Sequence, residues 1–150
     1  MPEISVLMSV YNTNVKVLKE AVDSIVNQTF TDWEMILIND ASTSDDTIKF
    51  LNGLQDERIV LVNNDVNLGL TKSLNKGLKM CTGNYVARMD ADDVSLPQRF
   101  EKQLAYIKRT GNIVIGSYFG LIPEKKFKRF YTEDIEKQKC RMIFGNDGIV

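Results

Sequence analysis

An α/β fold, with helices flanking a mostly parallel sheet, is what this sequence predicts. Three observations carry that expectation. Short β-branched runs alternate along the chain with amphipathic stretches of helical period. The runs are continuously apolar, as strands covered on both faces are. The stretches between them are long enough for the right-handed crossover helices that join parallel neighbours.

In order, "ISVLMSV" (Ile4 to Val10) is the first strand, bounded by "YNTN". From Val15 to Gln28, Val17, Leu18, Ala21, Val22, Ile25 and Val26 recur at helical spacing, with Asn14 as N-cap. "EMILIN" (Glu34 to Asn39) is the second strand, followed by a polar turn. Ser44 or Asp45 then opens a helix that packs Ile48, Leu51 and Leu54. "RIVLVNN" is the third strand, and "LTKSLNKGLKM" a helix with Leu70, Leu74 and Leu78 on one stripe, expected to stop near Gly83. "YVARM" is the fourth strand. "SLPQRFEKQLAYIKRTG" reads as a helix with Pro97 in its first turn, a capping box from Ser95 to Gln98, and a close at Gly111. "NIVIGSYF" reads as a further strand, and "TEDIEKQKCRMIFG" as a last helix capped by Thr132.

Composition narrows the function classes. The 150 residues suit one domain with a real core, and 43 % apolar with 26 % charged residues is ordinary for a globular chain. With 19 basic against 20 acidic residues the net charge is −1, which points to neither nucleic acid nor an anionic membrane as partner. The locally basic "PEKKFKRFY" reads as a solvated hairpin or loop. Histidine is absent, so a His-based triad or general base is excluded, and the 2 cysteines, Cys81 and Cys140, have no metal-ligand spacing. They read as reduced thiols. No signal peptide or membrane span is evident, so the expected location is the cytoplasm, or the inner face of a membrane as a peripheral protein.

In a parallel sheet, ligands sit outside the carboxyl ends of the strands. Three polar clusters fall there: "YNTN" after the first strand, "NDAS" after the second and "MDADD" after the fourth. Neither the dinucleotide fingerprint nor the glycine-rich phosphate loop is present. A D-x-D at a strand end offers hard oxygen ligands for Mg²⁺ or Mn²⁺, which need only one or two carboxylates plus phosphate oxygens. The bland reading is an acidic turn in which Asp92 or Asp93 caps the next helix. That reading leaves Asp90 without a purpose.

"ISVLMSVYN", "AVDSIVNQTFTDWEMILINDASTSDDT" and "NNDVNLGLTKSLNKGLKMCTGNYVARMDADDVSLPQRFEKQ" occur in the order found in family-2 glycosyltransferases, which the sequence resembles over residues 4 to 107. The resemblance implies a GT-A (Rossmann-like) fold. It implies a single nucleotide-sugar-binding domain over 1–150, with 1–117 as core and 118–150 as an incomplete start of the acceptor side. By the same resemblance Tyr11 and Asn12 lie beside the nucleotide base, and Asp40 accepts a hydrogen bond from it. "NLGLTKSLNKG" would line the nucleotide and diphosphate, with Lys72 and helix N–H groups facing phosphate. Many relatives carry Arg before the Asn of this helix, where this chain has Leu74 before Asn75. Asp92 would ligate the metal, with Asp90 nearer the ribose or metal, and Arg88 would offset their charge or reach the sugar nucleotide.

The implied reaction moves a sugar from a nucleoside diphosphate, with a UDP-sugar favoured, to the hydroxyl of a saccharide or lipid-linked saccharide. Mn²⁺ or Mg²⁺ stabilises the departing diphosphate, and inversion is the family's usual outcome. Glu124, Glu133, Asp134, Glu136 and Asp147 follow the D-x-D but match no base motif, so the base is expected beyond Val150 in a chain truncated at its carboxyl end. Such a truncation would leave apolar surface near "IVIGSYF" and "RMIFG" and favour self-association. Two rivals remain: a non-catalytic nucleotide-binding fragment, and a haloacid-dehalogenase-type phosphatase with Asp90 as nucleophile and Asp92 as acid. The second lacks a later acidic pair on a strand.

Overall fold

The structure, a computed structural model, describes residues 1–112, 114–116, 119–121 and 126–128. The chain divides after Ala105 into two compact units. The first unit holds β1 (Ile4–Val10), α1 (Val15–Val26), β2 (Trp33–Asn39), α2 (Asp45–Asn52), β3 (Ile59–Asn63), α3 (Leu70–Leu78) and β4 (Tyr85–Arg88). Helix α4 (Arg99–Thr110) follows, and β5 (Phe119–Leu121) pairs antiparallel with β6 (Lys126–Lys128).

The four main strands are all parallel, in the order β3-β2-β1-β4. This is the layout expected of strands joined by crossover helices. The central strands β1 and β2 are mostly apolar because both faces of the sheet are covered there, while the edge strands expose Val60 and Val86. On one face Val6, Met8, Val10, Met35 and Leu37 pack with Leu18, Ala21, Val22 and Ile25 of α1, Leu51 of α2 and Phe100 of α4. Each of these Val, Leu, Ile, Met and Phe side chains, fully removed from water, contributes about 1.5–3 kcal/mol. The other face is smaller: Leu7, Ile36 and Ile38 with Leu74 and Cys81.

Local signals set the first two helix starts. Asn14 Oδ1 accepts the Lys16 N–H at 3.0 Å and Ser44 Oγ that of Thr47 at 3.4 Å. Asp45 and Asp46 in the first turn of α2 complement its dipole.

Four local expectations are corrected. The packed face of α3 is Ser73, Leu74 and Gly77; Leu70 and Leu78 are 46 % and 50 % exposed. The cause is close approach. A Cβ on Gly77 would stand 2.5 Å from Leu7 Cδ1 and 3.2 Å from Ile38 Cδ1, so the bare glycine face is the one that lies on the sheet. Second, α3 ends at Leu78, with Lys79 as an ordinary right-handed cap. Gly83 does not end the helix; it lets the chain pass β1, since a Cβ there would lie 2.6 Å from the Ser5 nitrogen. Third, α4 begins at Arg99, two residues after Pro97, and Ser95 makes no capping box because its Oγ accepts from Gln28 instead. Fourth, Asn112 and Val114–Gly116 belong to no strand, and Val114 is 64 % exposed. That run gains no sheet partner, and the strand begins only at Phe119. Of the basic stretch, expected as a hairpin or loop, β6 pairs antiparallel with β5, and the remainder lies outside the described residues. The helix expected after Thr132 lies outside the described residues. Among the described residues no helix is long and apolar enough to cross a membrane.

Candidate functional site

Because β1 is flanked by β2 and β4, the loops after β2 and β4 stand on either side of the loop after β1. Two residues in these loops hold the left-handed backbone conformation without being glycine: Asn12 at φ 51° and Ala41 at φ 57°. Asparagine tolerates this region; alanine is strained there. Asn12 is held by its contacts. Its Oδ1 accepts the N–H groups of Thr43 at 2.7 Å and Ser44 at 3.0 Å, and its own N–H donates to Ser42 Oγ at 3.1 Å. The two loops are thereby tied into one wall. Tyr11, beside Asn12, is exposed.

Asp40 follows the last residue of β2 and is only 2 % exposed. Its Oδ1 accepts from Asn64 Nδ2 at 2.7 Å and from the Leu68 N–H at 2.8 Å, and its Oδ2 accepts the Gly69 N–H at 2.9 Å. Burial alone would push the carboxyl up, but these donors, with the Ser73 hydroxyl, outweigh it and hold the group below the usual carboxylate range. Asn64 is itself buried, donating also to Ser73 Oγ at 2.9 Å and accepting from Lys76 Nζ at 2.7 Å. A carboxylate has about four acceptor positions. Asp40 is therefore first of all the clamp that shapes the 64–69 turn and the start of α3. Lys72, in the first turn of α3, is exposed and makes no hydrogen bond or ion pair among the described residues.

On the other side of β1, the Asp90 carbonyl accepts the Asp93 N–H at 3.3 Å and closes a turn. Arg88 Nη2 pairs with Asp90 Oδ1 at 2.7 Å. Arg88 Nε is buried without a partner. Partial burial, and then the charges of Asp90 and Asp92, push the Asp93 carboxyl up against the opposing pull of Arg99 and Arg88. Asp92 is exposed and makes no hydrogen bond or ion pair among the described residues. Neither Asp92 nor Asp93 caps α4, which starts at Arg99.

Among the described residues no three acidic, cysteine or histidine side chains converge as a ready-made metal cage. The donor set nonetheless fits a hard divalent cation that brings phosphate and water oxygens of its own. Asp92 is uncommitted, and Asp90 is half-exposed with a second oxygen free of the ion pair.

The structure thus gathers Tyr11, Asn12, Asp40 and Lys72 on loops after β1 and β2 and at the start of α3, and Arg88, Asp90 and Asp92 at the end of β4. Asn64, Asn67 and Gln28 were not legible as site-shaping residues, since each acts through partners far away in sequence. The later acids Glu124, Glu133, Asp134, Glu136 and Asp147 lie outside the described residues.

Comparisons with known proteins agree with this architecture. The family described as "Glycosyl transferase family 2" matches residues 5–148. An uncharacterized glycosyltransferase of Haemophilus influenzae is 41 % identical over 143 residues, covering 91 % of this chain and 44 % of that protein. The putative glycosyltransferase EpsE of Bacillus subtilis is 41 % identical over 111 residues, covering 72 % of this chain and 39 % of that one. The chain thus spans less than half the length of these two relatives. Among solved structures, residues 1–349 of S. aureus TarS in complex with UDP-GlcNAc superpose with a TM-score of 0.67 at 25 % identity, covering 73 % of this chain and 32 % of that one. The mannosyltransferase PcManGT from Pyrobaculum calidifontis, in complex with GDP-Man and Mn²⁺, superposes with a TM-score of 0.54 at 26 % identity, covering 62 % and 28 %.

Proposed function

Since this chain belongs to glycosyl transferase family 2, we propose that it binds a nucleoside-diphosphate sugar, a UDP-sugar by preference, for inverting transfer to an acceptor saccharide or lipid-linked saccharide. The observation that carries this reading is the placement of two unlike elements at the carboxyl end of one parallel sheet. On one side of β1 stands a helix start ordered by Asp40, and on the other the acidic turn of residues 90–93. The first suits a nucleotide, the second a diphosphate with its cation. TarS, bound to UDP-GlcNAc, supports the uridine preference, and the Mn²⁺ in PcManGT supports the divalent cation.

In this reading Tyr11 and Asn12 lie beside the base, and Asp40, already holding the 64–69 turn, takes a ring N–H in place of the Ser73 hydroxyl. Lys72 and the first N–H groups of α3 face the phosphates. Asp92, with Asp90, would hold Mn²⁺ or Mg²⁺, whose chemistry is to neutralise the departing diphosphate. Arg88 keeps Asp90 oriented and faces the sugar nucleotide. The acceptor's proton goes to a base outside these loops. Family membership decides against the phosphatase rival.

The test is Asp92→Asn. Its carboxylate has no internal partner, so the urea midpoint is expected to stay with the parent while Mn²⁺-dependent UDP binding in calorimetry is lost. Equal Mn²⁺-dependent binding by mutant and parent would overturn the assignment.

A further inference from the structure

The acidic turn is held from behind by a side chain on the opposite side of the sequence. Gln28 lies just beyond α1 and is 4 % exposed. Its Nε2 donates to the carbonyls of Ser24 and Leu96, each at 2.9 Å, and to Ser95 Oγ at 3.2 Å; its Oε1 accepts the Phe100 N–H at 3.2 Å. Only a carboxamide donates and accepts in this way without carrying charge into the core. Its neighbours act on the same segment. Ser24 Oγ accepts the Ser95 N–H at 3.0 Å, and the Thr29 N–H donates to the Pro97 carbonyl at 2.8 Å.

All these bonds but the one to the Ser24 carbonyl land on residues 95–100, the stretch that leads from the acidic turn into α4. From the first turn of that helix, Arg99 reaches back: Nη2 donates to the Arg88 carbonyl at 2.9 Å and Nη1 lies 3.3 Å from Met89 Sδ. The turn is therefore gripped at both ends. Arg99 holds its entry at Arg88, and Gln28 holds its exit at Ser95 and fixes the helix start from which Arg99 works.

We propose that Gln28 is a positioning residue for the Asp90–Asp92 turn, setting the placement of carboxylates on which cation-assisted diphosphate binding depends. This rests on the function proposed above. Gln28 touches neither Asp40 nor Asn12, so it governs the cation's contribution to nucleotide binding and leaves the base side alone. A residue that merely supported the core would lower stability without changing that contribution in the folded protein.

The experiment compares UDP affinity by calorimetry in Mn²⁺ and in EDTA, well below the melting temperature, for the parent, Gln28→Met and Ser95→Ala. Methionine keeps the length and volume of the side chain and removes its polar partners. The expected result for Gln28→Met is unchanged affinity in EDTA, with the gain conferred by Mn²⁺ reduced by about tenfold or more, the usual effect of losing an outer support of a metal site. Ser95→Ala deletes one acceptor only and should show a smaller loss of the same kind, so it decides the matter if Gln28→Met does not fold. A Mn²⁺ gain equal to the parent's in the folded variants would overturn the inference. A parent with no Mn²⁺ gain at all would instead overturn the metal assignment beneath it.

Discussion

Asp40 Oδ2 accepts the backbone N–H of Gly69 at 2.9 Å, so a carboxylate at the end of β2 caps α3 from outside the helix. Gly69, the N-cap residue, has no side chain with which to do so. The same carboxylate also takes the Leu68 N–H, which makes the turn before α3 depend on one residue of the loop after β2.

Asp40→Asn is therefore expected to destabilise the fold by about 1–3 kcal/mol at neutral pH, because an amide nitrogen would face a backbone donor in a dry site. The pH dependence has a definite sign. The folded carboxyl titrates below the usual range, so its stabilisation is complete above the unfolded pKa of about 3.9 and is lost as pH falls through the folded value. Urea unfolding along a descending pH series should show a steeper acid limb in the parent than in the mutant. Parallel limbs would mean that Asp40 is not held ionised by its donors.

Ala41, at φ 57°, is expected to gain from replacement by glycine. Leaving a Cβ in the left-handed region costs about 1–2 kcal/mol, and the freer unfolded chain of the glycine variant returns about 0.4–1. The net expectation for Ala41→Gly is a stabilisation of about 0.5–1 kcal/mol, read as a higher urea midpoint at unchanged slope. A lower midpoint would show that the strain is absorbed by the Asn39–Ser42 hydrogen bond at 3.0 Å, which spans the same turn.

Gly83→Ala should act in the opposite direction. The new Cβ would meet the Ser5 nitrogen at 2.6 Å and the Ile4 carbonyl carbon at 2.8 Å, both backbone atoms of β1. That strand is paired on both edges, with β2 and with β4, and cannot yield without loosening one of them. A loss of about 1–3 kcal/mol is expected from the forced overlap. Denaturant unfolding checks it, and an unchanged midpoint would mean the turn carrying Gly83 shifts freely.

Three things are legible in the sequence itself: the four strands of the main sheet, their parallel connection through helices, and the acidic and asparagine-rich clusters at their carboxyl ends. Ile4–Val10 and Trp33–Asn39 announce themselves because a strand covered on both faces must be apolar at nearly every position, whatever covers it. The N-caps at Asn14 and Ser44 are legible for a similar reason, since their bonds close within three residues.

What only the tertiary structure decided is which of several locally equal options each residue takes. Leu70, Leu74 and Leu78 make as good a stripe as Ser73, Leu74 and Gly77, until the sheet below admits only the face with no Cβ at position 77. Ser95 could cap a helix, but Gln28 claims its hydroxyl. Asp40 could cap its own turn, but the donors that surround it arrive from residues 64 to 69. Local periodicity reports the free energy of neighbours along the chain. The hydrogen bonds and close contacts that shape this site join residues brought together only by folding, and no local pattern encodes them.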